Sequence, residues 1–210
     1  SGIELGVRNG LTLPQGINPG HNIGLIFERL ALPYSSIKSF DDLPIPFRCV
    51  ATDMLEAKSV VLENGSLALA LRATMAIPGV FTPVDFENKV LADGGLLNNI
   101  PVDVIKEMGA DVSIAINVGT PLGTREDISS LIGMLTQVIG VTTIESDRRN
   151  LKQANHVITP DLGKYTSADF RATDAIADLG YQSAVKQGAG VEVYSLNEAD
   201  WQAHLAVRQA

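Results

Sequence analysis

The sequence contains few of the residue types that most often carry side-chain chemistry. Its 210 residues include one cysteine and three histidines. Cys49 cannot form an intrachain disulfide, and the apolar residues around it predict a buried structural thiol. His21, His156 and His204 lie far apart in the chain, and none has a second ligand at helical or hairpin spacing. We therefore expect no metal site.

Positive charge is also scarce. Lysine and arginine total 16 against 24 aspartates and glutamates, which gives a net charge of −8. Because binding to phosphate backbones needs a basic face, this balance argues against a nucleic-acid partner and against strong electrostatic attachment to anionic lipid. The cluster Arg148-Arg149-Lys152 could meet lipid headgroups. Glu145 and Asp147 dilute it, however, and a solvated helix face is the favoured interpretation.

Long apolar runs are absent as well. Two stretches lack charged residues, Asn9 to Phe27 and Ile128 to Ile144, but both contain too many polar residues and glycines for a membrane span. The chain opens at Ser1 with no basic and apolar leader pattern, which leaves both a cytoplasmic and an exported location open. With 45% hydrophobic and 19% charged residues, the composition predicts a folded protein that needs no more than one domain.

The central part of the sequence alternates between strand and helix patterns. Strands are predicted at Phe47 to Met54, Val60 to Leu62, Lys89 to Ala92 and Asp111 to Val118, and helices at His21 to Leu30, Ser66 to Met75 and Pro101 to Met108. The continuous apolar content of Asp111 to Val118 is typical of a strand covered on both faces. The order strand, crossover helix, strand predicts an α/β sheet.

The last third of the chain continues this alternation. A helix is predicted from Ile128 to about Ala154, a strand at His156 to Thr159, a helix at Arg171 to Gln187 and a strand at Val191 to Tyr194. The pattern Ser195-x-x-Glu198 is typical of a capping box, so we expect Ser195 to cap a terminal helix that runs through Arg208.

The segment Val90-Leu-Ala-Asp93-Gly94-Gly95-Leu-Leu-Asn98-Asn99-Ile-Pro101 is the candidate for chemistry. An Asp-Gly pair by itself signals a turn. Asp93 also ends a predicted strand, and catalytic groups of α/β sheets gather at the carboxyl ends of strands. Gly94 and Gly95 would let the backbone approach another group closely, and the two asparagines could tie the loop in place. A carboxylate held rigidly in this way suits general acid–base catalysis.

Two blocks in this region carry a resemblance to a known family. They are Ala73-Thr-Met-Ala-Ile-Pro78-Gly79-Val-Phe81-Thr-Pro83 and Leu91-Ala-Asp93-Gly94-Gly95-Leu-Leu-Asn98-Asn-Ile-Pro101-Val102. In order and spacing they resemble the bacterial branch of the patatin-like lipid acyl hydrolases. Weaker similarity extends over nearly the whole chain. The resemblance implies a three-layer α/β/α fold with a mainly parallel central sheet, and no metal or organic cofactor.

The resemblance also implies a serine–aspartate dyad. Members of the family hydrolyse acyl esters of phospholipids and related lipids with a serine in Gly-x-Ser-x-Gly, an aspartate base and a glycine-rich oxyanion loop. The aspartate corresponds to Asp93, with Gly94 and Gly95 as the rest of its motif. Neither Gly-x-Ser-x-Gly nor the oxyanion loop occurs in the 210 residues. We therefore expect residues 1–210 to form the later two-thirds of one catalytic domain whose serine lies upstream, with this part inactive alone.

Other interpretations stay open at this point. The chain could be a fragment or degenerate homologue that binds lipid or a partner without turnover. Asp53, at the end of a predicted strand, could be a second site carboxylate, although a turn role is favoured. A nucleotide-binding protein would depend only on Gly119 to Gly123, which lacks the Gly-Lys-Ser/Thr of a phosphate loop. For the hydrolase, the expected partners are an acyl-ester lipid and, transiently, a membrane surface.

Overall fold

A computed structural model of the chain describes residues 6–7, 11–12, 16–18, 20–119, 127–129, 131–165 and 169–209. Within those residues the strands are β1 (Gly6–Val7), β2 (Leu11–Thr12), β3 (Gly16–Asn18), β4 (Cys49–Asp53), β5 (Lys58–Leu62), β6 (Gly79–Phe81), β7 (Val84–Phe86), β8 (Lys89–Asp93), β9 (Ile114–Ile116) and β10 (His156–Ile158). The α-helices are α1 (His21–Ala31), α2 (Leu67–Thr74), α3 (Val102–Glu107), α4 (Leu131–Leu151), α5 (Thr173–Gln187) and α6 (Glu198–Gln209). The expected α/β combination of helices and strands is confirmed.

The largest sheet among the described residues is antiparallel, in the order β5-β4-β8-β7. A mainly parallel central sheet is therefore not what these residues show. The reason lies in two tight connections, which return the chain beside the strand that it has just left. Ala57 has a φ of 52° in the turn from β4 to β5, and Glu87 and Asn88 have φ of 46° and 64° between β7 and β8. Two successive residues with positive φ are typical of a two-residue hairpin turn, and a hairpin is necessarily antiparallel.

The main hydrophobic core lies where this sheet packs against α2. It consists of Phe40, Cys49, Ala51, Leu62, Ala70, Ala73, Val84 and Leu91. Helix α2 begins after Ser66, whose side-chain oxygen accepts a hydrogen bond from the N–H of Leu69 at 3.3 Å. At the other end of the helix, Thr74 Oγ1 donates to the carbonyl of Val50 on β4. The small side chains of α2 let the helix lie close to the sheet that carries the candidate aspartate.

Parallel pairing occurs in two short ladders, β9 with β10 and β3 with β6. The parallel pair β9–β10 is connected through α4. This crossover lies later in the chain than the crossover that was predicted through Pro101 to Met108. Ile114 and Ile116 of β9 are 46% and 54% exposed, so the expectation of a strand covered on both faces is wrong for the described residues. A second core cluster joins α3, β9 and the end of α4 through Ile100, Val102 and Ala115.

The C-terminal region differs from its predicted pattern in two places. The strand expected at Val191 to Tyr194 is instead a 3₁₀ turn over Glu192–Tyr194. Helix α6 begins at Glu198, and the side-chain oxygen of Asn197 accepts a hydrogen bond from the N–H of Asp200 at 3.0 Å. Asn197 therefore takes the capping position that was expected for Ser195. Among the described helices, none combines the length and apolar content that crossing a membrane requires.

Candidate active site

Asp93 is the last residue of β8, and its backbone is held by two neighbouring elements. In the antiparallel register it lies opposite Ala51 of β4. The hydroxyl of Thr52 donates to the Asp93 carbonyl at 2.9 Å, and the Asp93 N–H donates to the carbonyl of Ala76, just after α2, at 3.0 Å. The position of the carboxylate is thus set by β4, β8 and the end of α2 together.

The side chain of Asp93 also bends the chain that follows it. The N–H of Gly95 donates to Asp93 Oδ1 at 2.7 Å, and Asp93 caps a short 3₁₀ turn over Gly94–Leu96. Burial raises the pKa of the Asp93 carboxyl above its ordinary value, and the Gly95 N–H partly offsets this by stabilising the anion. The turn role and a catalytic role are compatible, because the bend fixes the carboxylate while burial raises its basicity.

Gly94 and Gly95 are required for space and not for a left-handed backbone, since neither has a positive φ. A Cβ on Gly94 would overlap the carbonyl oxygen of Val50 on β4. A Cβ on Gly95 would lie 3.0 Å from Asp93 Oδ1 and 3.1 Å from Asn99 Oδ1. Gly94 therefore permits the close approach of the bend to β4, and Gly95 leaves room beside the carboxylate.

A cavity of about 260 Å³ opens beside this bend. Its lining residues are Cys49, Val50, Thr74, Asp93, Gly94, Gly95, Asn98, Asn99 and Pro101. Burial raises the pKa of the Cys49 thiol to about 12, so this thiol stays protonated near neutral pH and is a poor nucleophile. The Thr74 hydroxyl is engaged with Val50, which leaves Asp93 as the carboxylate base among these lining residues.

The other residues singled out by the sequence do not join this site. Asp53 is 2% exposed, and its Oδ1 accepts from the N–H of Leu55 at 2.9 Å, which is the favoured turn role. It pairs with Leu91, on the part of β8 that precedes Asp93. Arg148 is exposed and forms a 3.3 Å ion pair with Glu145 on the same helix. Residues 120–123 of the glycine-containing segment lie outside the described residues.

The histidines stay separate in the structure. His156 packs edge-on against the ring of Tyr194, and His204 stacks on Trp201, each with ring centroids 5.7 Å apart. In the described part of the chain, no group of three or more His, Cys, Asp or Glu side chains is arranged to hold a metal ion.

Sequence reasoning missed a second, larger cavity of about 460 Å³ between α1 and α2. Arg72 of α2 lines it and is 8% exposed. Its guanidinium donates to the carbonyl of Thr82 at 2.9 Å and lies 5.2 Å from the ring centre of Phe81, and burial lowers its pKa. In the sequence, the signal for this contact was a single arginine within a helix of mostly apolar residues.

Sequence reasoning also missed the role of α4 at the site. The asparagines that follow Asp93 do tie the loop, as predicted, but their partners include residues nearly 50 positions away. Asn99 donates to Asp147 Oδ2 at 3.2 Å, and Asn98 accepts from Asn150 at 2.7 Å. No local pattern signals such pairings. In the sequence, only the polar residues on one face of α4 hint at them.

Comparison with known proteins gives a consistent result. The family model described as patatin-like phospholipase matches residues 8–106, a segment that includes Asp93, Gly94 and Gly95. An uncharacterised NTE family protein of Mycobacterium tuberculosis is 42% identical over 90 residues, which cover 42% of this chain and 25% of the relative. Mouse patatin-like phospholipase domain-containing protein 7 is 27% identical over 173 residues, which cover 69% of this chain and 13% of that protein.

A second uncharacterised NTE family protein of the same bacterium is 25% identical over 181 residues, which cover 75% of this chain and 31% of the relative. The chain therefore spans a third or less of the length of these relatives. These matches agree with the family resemblance that the two sequence blocks carry. Residues 8–106 of the chain therefore match the patatin-like phospholipase family, and the relatives that align with the chain are NTE family and patatin-like phospholipase domain-containing proteins.

Proposed function

We propose that the chain is the aspartate-bearing part of a serine-dependent lipid acyl hydrolase, of the phospholipase A or lysophospholipase type, with Asp93 as the general base. One observation carries this proposal. The Asp93 carboxylate is fixed by a 2.7 Å hydrogen bond from Gly95 and lines a cavity within the segment that matches the family model. A base that is rigid and has a raised pKa is what a serine hydroxyl needs in order to become a nucleophile.

The serine itself belongs to the proposal. Since Gly-x-Ser-x-Gly is absent from the 210 residues, we propose that the nucleophile and the oxyanion loop lie in a preceding part of the natural protein. The chain would then contribute the later two-thirds of one catalytic domain. The parallel pairs β3–β6 and β9–β10 would be parts of its mainly parallel sheet. The cavity beside Asp93 is where the serine would reach the carboxylate.

The proposed reaction needs no group other than these residues and water. The free oxygen of the carboxylate, Oδ2, accepts the serine proton while the serine oxygen bonds to the acyl carbonyl carbon. When the tetrahedral intermediate collapses, the ester C–O bond breaks and the proton passes from Asp93 to the departing alcohol. Water then repeats the two steps, with Asp93 taking its proton, and releases the fatty acid. Asp93 is unchanged at the end of the cycle.

The decisive test compares two aspartate substitutions in the full-length protein. Asp93→Asn keeps the acceptor for Gly95 but cannot take a proton, so we expect kcat/KM for a phosphatidylcholine or lysophosphatidylcholine substrate to fall about 10²- to 10⁴-fold. Asp53→Asn is the matched control, because it keeps the acceptor for Leu55 in a turn outside the cavity, and it should change kcat/KM less than twofold. Full activity in Asp93→Asn would refute the proposal.

A covalent probe separates the hydrolase from a non-catalytic lipid-binding protein. A fluorophosphonate ester should label one serine of the full-length protein, within a Gly-x-Ser-x-Gly sequence located by peptide mass spectrometry. Labelling should be slower in the Asp93→Asn variant, because the serine loses its base. Absence of both labelling and hydrolysis would favour the non-catalytic interpretation.

We also propose that the protein contacts a membrane surface transiently, because a phospholipid substrate has to be drawn from a bilayer. Apolar side chains of α1 support this proposal: Leu25, Ile26 and Leu30 are 53%, 55% and 63% exposed. Leu25 also lines the larger cavity, so this side chain lies beside a space that could receive an acyl chain. Interfacial contact through such side chains would depend on apolar area more than on charge.

A further inference from the structure

The loop that follows the Asp93 bend is fastened by one face of α4. Three side chains of this helix bond to four consecutive loop residues. The helix residues are Ser146, Asp147 and Asn150, and the loop residues are Leu97, Asn98, Asn99 and Ile100. Positions four apart on an α-helix lie on the same face, so this arrangement presents a continuous polar edge to the loop. Among the residues that the structure describes, none of α4 lines the cavity beside Asp93, so the contacts of this helix reach the site through the loop.

Asn150 makes the central contact. Its side chain is fully buried, at 2% exposure, and its amide nitrogen donates to Asn98 Oδ1 at 2.7 Å and to the Ile100 carbonyl at 2.9 Å. Both hydrogens of the amide are therefore used. A buried amide that lost these partners would leave its donors unpaired in the core, which destabilises the fold. One side chain thus fixes the residues on either side of Asn99.

Asn99 connects this contact to the catalytic bend. Its Oδ1 lies beside Gly95, 3.1 Å from the place that a Cβ would occupy, and its amide donates to Asp147 at 3.2 Å. Gly95 in turn provides the N–H that holds Asp93 Oδ1. The Asn98 N–H also donates to the carbonyl of Gly94 at 2.9 Å, so hydrogen bonds connect Asn150, through Asn98, to the bend that holds the carboxylate.

We propose that Asn150 is a positioning residue, which holds the loop at residues 98–100 so that the Gly95 N–H keeps the Asp93 carboxylate in the orientation for proton transfer. The proposal rests on the proposed function of Asp93. An apolar side chain of the same size would fill the space under the loop, but only directed hydrogen bonds fix the loop in one orientation. Small errors matter at this site, because misplacing a catalytic group by about 1 Å can lower a rate about 10²-fold.

The test uses the full-length protein with matched substitutions on α4. Asn150→Leu keeps the volume and removes both donors, and we expect kcat to fall about 10- to 100-fold with KM within twofold. Thr143→Val is the control, because Thr143 is also buried on α4 but its hydroxyl donates to Ile139 of its own helix. The kcat of the Thr143→Val variant should stay within twofold of the unsubstituted protein.

The pH profile provides a readout that a merely structural role would not change. The Gly95 hydrogen bond lowers the pKa of Asp93, so loosening the loop should raise that pKa and move the acid limb of kcat to higher pH. The carboxylates that face the loop, Asp103 and Asp147, are the same in all these variants. Loosening the loop would also change the pKa of Asp147, which accepts from Asn99, but neither of these two carboxylates lines the cavity, so the acid limb of kcat follows the proposed base, Asp93.

A second variant covers the possibility that Asn150→Leu does not fold. Asn98→Ala removes an acceptor of Asn150 from the loop side and should lower kcat in the same way. Where both single variants fold, kcat of the double variant should be no lower than kcat of the more severe single variant, because both substitutions break the hydrogen bond between Asn98 and Asn150. An unchanged kcat, an effect carried by KM alone, or an equal loss in Thr143→Val would overturn the proposal. Full activity in Asp93→Asn would instead refute the proposed function.

Discussion

At the scale of single residues, Asp93 shows how burying a carboxylate changes the stability of the fold with pH. Burial raises its pKa, so the folded protein binds the Asp93 proton more tightly than the unfolded chain does. The stabilisation from this group is complete below the ordinary carboxyl pKa and is lost as the pH rises through the raised value. At neutral pH the ionised carboxylate therefore destabilises the fold, and the proposed role as a base depends on that ionised form.

This linkage predicts the sign of two substitutions. Asp93→Asn should increase the free energy of unfolding at pH 7, and the gain should vanish near pH 3, below the ordinary aspartate pKa of about 3.9. Asp41 gives the opposite case, since its hydrogen bond from Arg48 lowers its pKa. Asp41→Asn should destabilise at pH 7 and lose its effect as the pH falls. Urea unfolding of both variants at pH 7 and near pH 3 measures these changes in the free energy of unfolding. A change of the same sign in both variants at pH 7 would contradict the prediction.

At the scale of elements, the sequence predicted where the helices and several of the strands lie but not how the strands pair. The predicted strands at Lys89 to Ala92 and Val60 to Leu62 lie within β8 and β5, because alternation, capping and turn residues are local properties. The largest sheet of the described residues is antiparallel, which the sequence did not predict, because the order of elements does not reveal which strands become neighbours. Ile114 and Ile116 were predicted to be buried for their apolar character, yet the described residues cover them only partly.

The junction between β8 and β4 explains why two adjacent glycines should respond differently to the same change. Gly94→Ala should destabilise the protein by about 1–3 kcal/mol, because its Cβ meets the backbone carbonyl of Val50 and β4 must shift. Gly95→Ala should affect kcat more than stability, because its Cβ meets the side-chain oxygens of Asp93 and Asn99.

Gly24 supplies the control for these two substitutions. In the middle of α1, a Cβ on Gly24 meets no atom within 4 Å, so Gly24→Ala should stabilise the protein by about 0.5–1 kcal/mol. Urea midpoints give the three stabilities, and kcat is measured under conditions in which each variant is fully folded. If the Gly94→Ala variant proved as stable as the Gly24→Ala variant, this result would contradict the close approach of the bend to β4.

At the scale of the whole molecule, the candidate site is assembled from distant parts of the chain. Val50 on β4, Thr74 at the end of α2 and Asp93 on β8 surround one cavity, and Asn150 holds its loop from α4. The sequence predicted Asp93 because its motif is contiguous. It could not predict Asn150, whose meaning depends on a contact across about 50 residues. The composition gives the net charge of the whole molecule directly, and this charge affects how strongly the protein binds a lipid surface.

The basic cluster Arg148-Arg149-Lys152 should contribute little to membrane contact. An anionic surface gains about 1 kcal/mol per nearby basic residue, so a docking cluster of three would strengthen binding about 100-fold. Here Arg148 is paired with Glu145, and the chain carries a net charge of −8. We expect replacement of all three basic residues by glutamine to change binding to phosphatidylserine-containing vesicles less than twofold, as measured by co-sedimentation at about 0.15 M salt, with phosphatidylcholine vesicles as the uncharged reference. A tenfold or greater loss confined to the anionic vesicles would show that this face of α4 meets the membrane through charge.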